Sequence, residues 1–542
     1  VTDSAEDVCR EALLLGLRGA GDLALQALEE YCSRLDADDD RLVRVARIAR
    51  LVGAWTGRAP RAIALVTQCV NEATTSAVRA PLQAILIDSD PGDDNDRVWS
   101  VLHELTLSGD ESARAWALLS VAFPDDSLTP SLDYRHRLAE EARRIGERLG
   151  ERRLVNQAAN TLAALDCYAG DGESAMAELE QLWSRVDATD PLETDLLVTA
   201  AGNHALIALA WDGPAAVATI LDQSAHHAVG PAKAGLVHAL RALALARQGW
   251  NDKALRALGT PASYPDAYSA FSRLVRNIAA SEAQRTAEVF PEEDVALLES
   301  KSLQLGVLAR AHQARVRGIR SEPLPHRDLV PALERLTDSR PRFGWDDAAV
   351  ALAELDADAA AAVLDAGGMW EFWPTGPRAA RNAAYLRVLL GREDPFPALE
   401  QAADGFVEAG EHATAARVLA AAVRVAAGDR RARVLHRRAI ELIEDRECDR
   451  TLAGLVRQRR QWGGSAPAAI PASQRHAVHT GLTDREHEIA VLAAQGLTGP
   501  EIANRLGIAL GTVRNHIQHV RDKLGGVSKG ELRELFAGGG AR

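Results

Sequence analysis

The chain has 542 residues, a formal net charge of −14, 47% hydrophobic and 25% charged residues; this is ordinary globular composition, too long for one core unless the chain is a repeat array. Its five cysteines (Cys9, Cys32, Cys69, Cys167, Cys448) form no CxxC pair, which argues against a disulfide framework or a zinc site and fits a reducing cytoplasm. The longest uncharged apolar stretch, Leu196 to Trp211, contains Asn203 and His204 and supports no membrane span, and residues 1–10 lack the make-up of a signal peptide.

Residues 1–460 read as helix after helix, with almost no alternating β-branched run and with breaks at Gly, Pro and Asp clusters, so the fold class is all-α. A phrase recurs in which an apolar helix ends in Gly, a polar turn follows, and a new helix carries Ala five residues on. It occurs at Gly19/Ala24, Gly57/Ala62, Gly170/Ala175, Gly249/Ala254 and Gly410/Ala415, with spacings close to whole multiples of about 39, and Trp211 fits a skipped slot. Small residues at such positions let paired helices approach, and a stack of pairs buries what one pair leaves open, which predicts a tetratricopeptide-like helical-repeat superhelix. Two acidic, proline-bearing stretches, 86–98 and 122–133, are expected to be loops.

Between Arg340 and Pro377, Phe343, Trp345, Trp370, Phe372 and Trp373 gather among Gly and Pro in what reads as a non-helical stretch. Trp345, Trp370, Phe372 and Trp373 could line a pocket for a small-molecule or protein effector; the simpler reading is that they plug a junction between two repeat blocks. The acid pairs Glu140-Glu141 and Asp346-Asp347 read as solvated groups in charged helix starts. No G-x-S-x-G, H-E-x-x-H or Cys-His cluster points to an enzyme, and without a Gly-Lys dipeptide there is no phosphate-wrapping loop, so neither cofactor nor metal is implied.

From 461 to 480 helical period is lost and Pro, Gly, Ala and Ser accumulate, marking a linker. The next stretch, Leu482 to Phe536, parses into four short helices before a tail at 538–542. Thr483 with Glu486, Thr498 with Glu501 and Ser528 with Glu531 have capping-box spacing; Pro500 suits a first helical turn, and Leu497/Ile502 and Val527/Leu532 have staple spacing. Val513, Ile517, Val520 and Leu524 make one apolar stripe at helical period, leaving Asn515, Gln518 and His519 on the other side, with Arg514 on one shoulder and His516 with Lys523 on the other. A short helix at 502–506 and a turn at Gly507 precede this stripe, the order of a helix-turn-helix that lays its second helix in a major groove.

The run Leu482-Thr483, Arg485-Glu486, Glu488-Ile489, Ala494, Gly496, Glu501-Ile502-Ala503, Leu506, Thr512-Val513-Arg514, His516 and Lys523-Leu524 resembles the LuxR-type helix-turn-helix of bacterial transcription regulators. The resemblance implies a four-helix module at 481–537 that binds double-stranded DNA, with Arg514, Asn515 and Gln518 reading bases and Thr512, His516 and Lys523 nearer the phosphates. It also implies a homodimer on DNA, for which Leu532, Leu535 and Phe536 are the candidates unless they close the module's own core. A transcription activator, with RNA polymerase as a further partner, is the expected role. Together with the repeat body, the module resembles the C-terminal portion of the large ATP-binding LuxR regulators without their nucleotide-binding domain, as a fragment or a shortened relative. Ala509 stands where that family usually has a capping Ser or Thr, and Gly499-Pro500 replaces a more polar pair. Residues 481–542 hold eight Lys and Arg against seven Asp and Glu, a weak footprint for a lone DNA binder, whereas residues 1–480 carry a balance of −15. The rival expectation is a repeat scaffold whose C-terminal helices form a dimerisation cap.

Overall fold

The computed structural model describes residues 4–461 apart from 90–94, 109, 123–130, 188–189, 225–230, 260–266, 284–287, 301–302, 321, 340–344, 367–369, 371–375, 393–394 and 426–429, and residues 483–523 apart from 495–496. Among these residues lie twenty-five α-helices between Ala5 and Gln461 and three between Asp484 and Lys523, with no strand.

The recurrent Gly phrase is the turn of a helical hairpin. Gly19, Gly57, Gly170, Gly249 and Gly410 all have positive φ, between 69° and 95°, a conformation that costs a residue bearing a Cβ roughly 1 kcal/mol or more. Each lets the residue after it donate back five positions: Ala20 to Leu15 O at 2.9 Å, Arg58 to Gly53 O at 2.8 Å, Asp171 to Asp166 O at 2.8 Å, Trp250 to Leu245 O at 2.8 Å and Glu411 to Phe406 O at 2.7 Å. This is the Schellman closure that satisfies the last carbonyls of a helix. The alanines five residues on, Ala24, Ala62, Ala175, Ala254 and Ala415, are buried, where a larger side chain would push the paired helices apart.

From Ala5–Leu17 to Asp449–Gln461 consecutive helices pack on each other except Ala357–Ala366 with Pro377–Leu389, and from Ala5–Leu17 as far as Pro377–Leu389 every second helix also packs on the next but one, so that Arg41–Thr56, Ser76–Ser89, Glu111–Ala122 and Arg152–Ala169 form one inner row. The row winds into a tight superhelix. Arg41–Thr56 touches Pro231–Gln248, Pro191–Trp211 touches Pro377–Leu389, Pro231–Gln248 touches His412–Val425, and Ala267–Glu282 touches Asp449–Gln461, each ten helices on in the described order. One turn of the superhelix therefore takes five hairpins. Polar stitches fix the winding: Trp55 Nε1 donates to Asp195 Oδ1 at 2.6 Å, Asn251 Nδ2 to Glu447 O at 2.8 Å, Glu447 N to Gly249 O at 2.9 Å and Arg450 Nε to Ser281 O at 2.6 Å. Trp211, at the skipped slot of the phrase, fills a corner where a Cβ on Gly172 or on Gly376 would collide with its ring.

Three expectations change. The stretches 86–98 and 122–133 are shorter breaks than expected, since Ser76–Ser89, Asn95–Ser108, Glu111–Ala122 and Leu132–Leu149 run into them. The stretch 340–377 contains two helices, Trp345–Leu355 and Ala357–Ala366; alanine-rich segments with acids in the first turn favour helix despite the flanking Gly and Pro. Asp346 and Asp347 are not a solvated pair. Asp346 is buried and accepts from Asn382 Nδ2 at 2.7 Å, while Asp347 accepts from Arg378 Nη1 at 2.7 Å and pairs with Arg247 at 3.2 Å. Arg378 also donates through Nε to Glu411 Oε1 at 2.6 Å. Burial and the neighbouring Asp347 charge push Asp346 up to about 6; although burial opposes it, Arg378 and Arg247 hold Asp347 well below the ordinary carboxylate range. Glu140 and Glu141 pair with Arg143 and Arg114.

Candidate nucleic-acid interface

The module at 483–523 has an apolar cluster of its own, built from Ile489, Leu492, Ala493, Ile502, Ala503 and Val513, with Leu497, Leu506, Ile508, Leu510 and Ile517 packed against it. Its first helix, Asp484–Ala494, opens on the expected capping box: Thr483 N donates to Glu486 Oε2 at 2.8 Å, and Glu486 N to Thr483 Oγ1 at 3.3 Å. The second, Gly499–Leu506, opens on Thr498, whose N–H donates to Glu501 Oε2 at 2.6 Å and whose hydroxyl donates to the same oxygen at 2.7 Å. Pro500 lies in its first turn and Leu497 packs on the cluster that holds Ile502. Gly507, at φ 62°, ψ 35°, ends this helix and turns the chain.

The third helix, Leu510–Lys523, presents the face that matters. Val513 and Val520 are buried and Ile517 is half-buried against the cluster, as the stripe requires. Thr512, Arg514, Asn515, Gln518 and His519 are exposed. Arg514, Asn515 and Gln518 thus share the open side, where a guanidinium can take both acceptors of guanine and an amide can pair both ways with adenine. His516 is half-buried, and its Nδ1 is enclosed without a hydrogen-bond partner among the described residues. Lys523 closes the helix; Leu532, Leu535, Phe536 and the fourth helix lie outside the described residues. Ala509 precedes the third helix and accepts from Val513 N at 3.2 Å, and its side chain offers no capping oxygen.

One residue does more than its sequence position announces. Arg485 pairs through Nη1 with Glu488 at 2.7 Å and donates through Nη2 to Leu506 O at 3.1 Å, tying the first helix to the last carbonyl of the second. That carbonyl sits at the negative end of the second helix, where a guanidinium is favourable. The bond braces the turn from which the third helix departs, and only the run Thr-x-Arg-Glu hinted at it.

In the body, Trp370 is half-buried against the C-terminal core with Arg387 and Arg392 over its ring at 5.7 and 5.5 Å. Phe343, Phe372 and Trp373 lie outside the described residues, and of Trp345 only the helical backbone is described. The core around Trp370 runs from Val307 to Leu455, on both sides of 340–377.

A short helix, a glycine turn and a second helix braced against a third, with the polar side of the last one open, define a helix-turn-helix DNA-binding module. Residues 480–535 match the family described as bacterial regulatory proteins, luxR family, and the module is a LuxR-type helix-turn-helix. A protein from Aeromonas salmonicida described as an HTH-type transcriptional regulator in the exeN 3' region is 49% identical over 55 residues, which are 10% of this chain and 28% of that relative. The match spans little more than a quarter of the curated relative. Among solved structures, yeast Tom70 aligns over 84% of this chain and 96% of its own at 10% identity, with a TM-score of 0.26. Among the described residues no helix is long and apolar enough to cross a membrane.

Proposed function

We propose that the chain is a sequence-specific transcription regulator, an activator acting in the cytoplasm, in which the superhelical body receives an effector or partner and governs the C-terminal module. The observation that carries it is the open face of the third helix, with Arg514, Asn515 and Gln518 side by side on a helix whose opposite stripe is packed away. Phosphate contacts from Thr512, His516 and Lys523 hold the register while these three read bases. Binding is by a homodimer through the fourth helix, because one module with a near-neutral charge balance releases few counterions and two half-sites double the contacts. The acidic body masks the reading face until an effector releases it, in keeping with a balance of −15 over residues 1–480.

The test is a genome-wide binding map of the chain and of the double substitution Arg514→Ala with Asn515→Ala. A reader loses its sequence-specific peaks and keeps salt-sensitive background binding. If the native chain gives no sequence-specific peaks, the C-terminal helices are a cap on a scaffold; peaks unchanged in the double variant remove Arg514 and Asn515 as the readers.

A further inference from the structure

We propose that the last turn of the superhelix holds a site for a free α-amino acid along its axis; this names the effector of the body and rests on the function proposed above. The inner-row helices from Pro231–Gln248 round to His412–Val425 line a cavity of about 160 Å³, and the first of them touches the last. A cavity of about 150 Å³ takes a benzene-sized guest, so a small amino acid is within its capacity. Five arginines and four carboxylates belong to the lining, with Leu243, Ile278 and Leu308 as an apolar wall.

Most of these charges answer one another at short range. Arg378 pairs with Asp347 at 2.7 Å and with Glu411 at 2.6 Å, and Arg315 with Glu354 at 3.1 Å. Arg417 and Glu282 do not: they stand 3.9 Å apart, too far for the hydrogen bond of a charged pair, and keep 33% and 22% of their side-chain surface open. Arg417 Nη2 donates to the Thr414 hydroxyl at 3.3 Å, and its Nε is enclosed without a partner among the described residues. Glu282 accepts from the Thr451 hydroxyl at 3.2 Å. Asn251, wholly buried on the same lining, spends Nδ2 on Glu447 O at 2.8 Å and leaves Oδ1 without a partner among the described residues. The lining therefore holds unspent donors and unspent acceptors together, and polar groups left in that condition inside a protein are costly.

The chemistry of the occupant follows from what is unspent. A guanidinium offers a carboxylate two parallel N–H donors, and an ammonium brings three donors to the Glu282 carboxylate, with the Asn251 oxygen as a further acceptor on the lining. An anion alone would leave Glu282 unanswered among the other carboxylates, and a cation alone would leave Arg417 unanswered among the other arginines. A molecule bearing both groups on one carbon lies along the open pair with each charge beside its opposite, and the aliphatic wall takes its side chain.

The experiment titrates the full chain by calorimetry with each of the common L-amino acids, and with acetate and methylammonium as the two charges taken singly. Arg417→Gln and Glu282→Gln are run in parallel, each checked for native helicity. The expected result is saturable binding of at least one amino acid, weakened about ten-fold or more in both variants because each loses a charge-assisted contact. Acetate and methylammonium are expected to bind more weakly than that amino acid by a similar factor. No saturable binding of any amino acid overturns the proposal, and so does binding that either folded variant keeps unchanged, or an affinity for acetate or methylammonium equal to that for the amino acid. Should Arg417→Gln fail to fold, the isosteric Glu282→Gln decides alone. Operator affinity of the full chain is then read with and without the bound amino acid. A change supports its place as effector, and no change removes that role; a chain that binds no operator at all sinks the function proposed above and leaves the calorimetry as it stands.

Discussion

At the scale of single residues the reading face makes the sharpest demand. Gln518 is exposed on the same side as Arg514 and Asn515, and a bidentate amide–base contact discriminates by roughly 1 to 3 kcal/mol. Gln518→Ala is expected to relax preference at one base pair of each half-site about ten-fold or more, with little change at the others, as read by competition binding with single-base variants of the operator. A second prediction concerns His312, buried in the body with Nε2 2.7 Å from Asn277 Oδ1. Burial first, then Arg315 and Arg450, push its imidazole down to about 3. Because the folded chain refuses a proton that the unfolded chain accepts, this group's contribution is complete above about 6.5 and is lost as pH falls from there towards about 3. The loss is about 1.4 kcal/mol per pH unit. His312→Gln is therefore expected to flatten the fall in melting temperature between pH 6.5 and 5; an unchanged slope would count against it.

At the scale of elements, Ala509 is a gap in an otherwise well-capped module. Replacing it with Ser supplies an acceptor for the open N–H groups of the third helix and is expected to stabilise the module by about 0.5 to 2 kcal/mol, seen as a higher melting temperature for the C-terminal transition. The hairpin turns make the opposite case: Gly170→Ala places a Cβ at φ 88° and is expected to cost roughly 1 kcal/mol or more. These turns, the capping boxes at Thr483 and Thr498 and the apolar stripe from Val513 to Val520 could be read from the sequence because each is decided by residues within about five positions of one another. Other features were not. Asp346-Asp347 looked solvated because Arg378 and Arg247, which answer them, come from distant helices. Residues 340–377 read as irregular because Gly and Pro flank the alanine-rich runs that form the helices Trp345–Leu355 and Ala357–Ala366. The exposure of Arg514, Asn515 and Gln518 opposite the apolar stripe was legible, and the brace of Arg485 on Leu506 O was not.

At the scale of the whole molecule, the charge split between body and module sets a prediction. If the body masks the reading face, residues 475–542 alone bind operator more tightly than the full chain at matched salt and dimer state, and the difference shrinks as salt rises. Equal affinity would leave the linker as a tether only. The winding, by contrast, could not be foreseen: five hairpins per turn is set by how each pair packs on the next, and the stitches that fix it join positions such as Trp55 with Asp195 or Asn251 with Glu447.

An open array of hairpins can lose its units one at a time from either end, since each leans only on its neighbours. Here the Glu447 amide bonds the Gly249 carbonyl, and Pro191–Trp211 rests on Pro377–Leu389, so fraying of any one hairpin exposes a surface on the coil above or below it. Damage in one repeat is consequently felt throughout, and the body melts as a block: chemical denaturation should trace one steep sigmoid, where a loosely wound array would give a shallow, staggered decline.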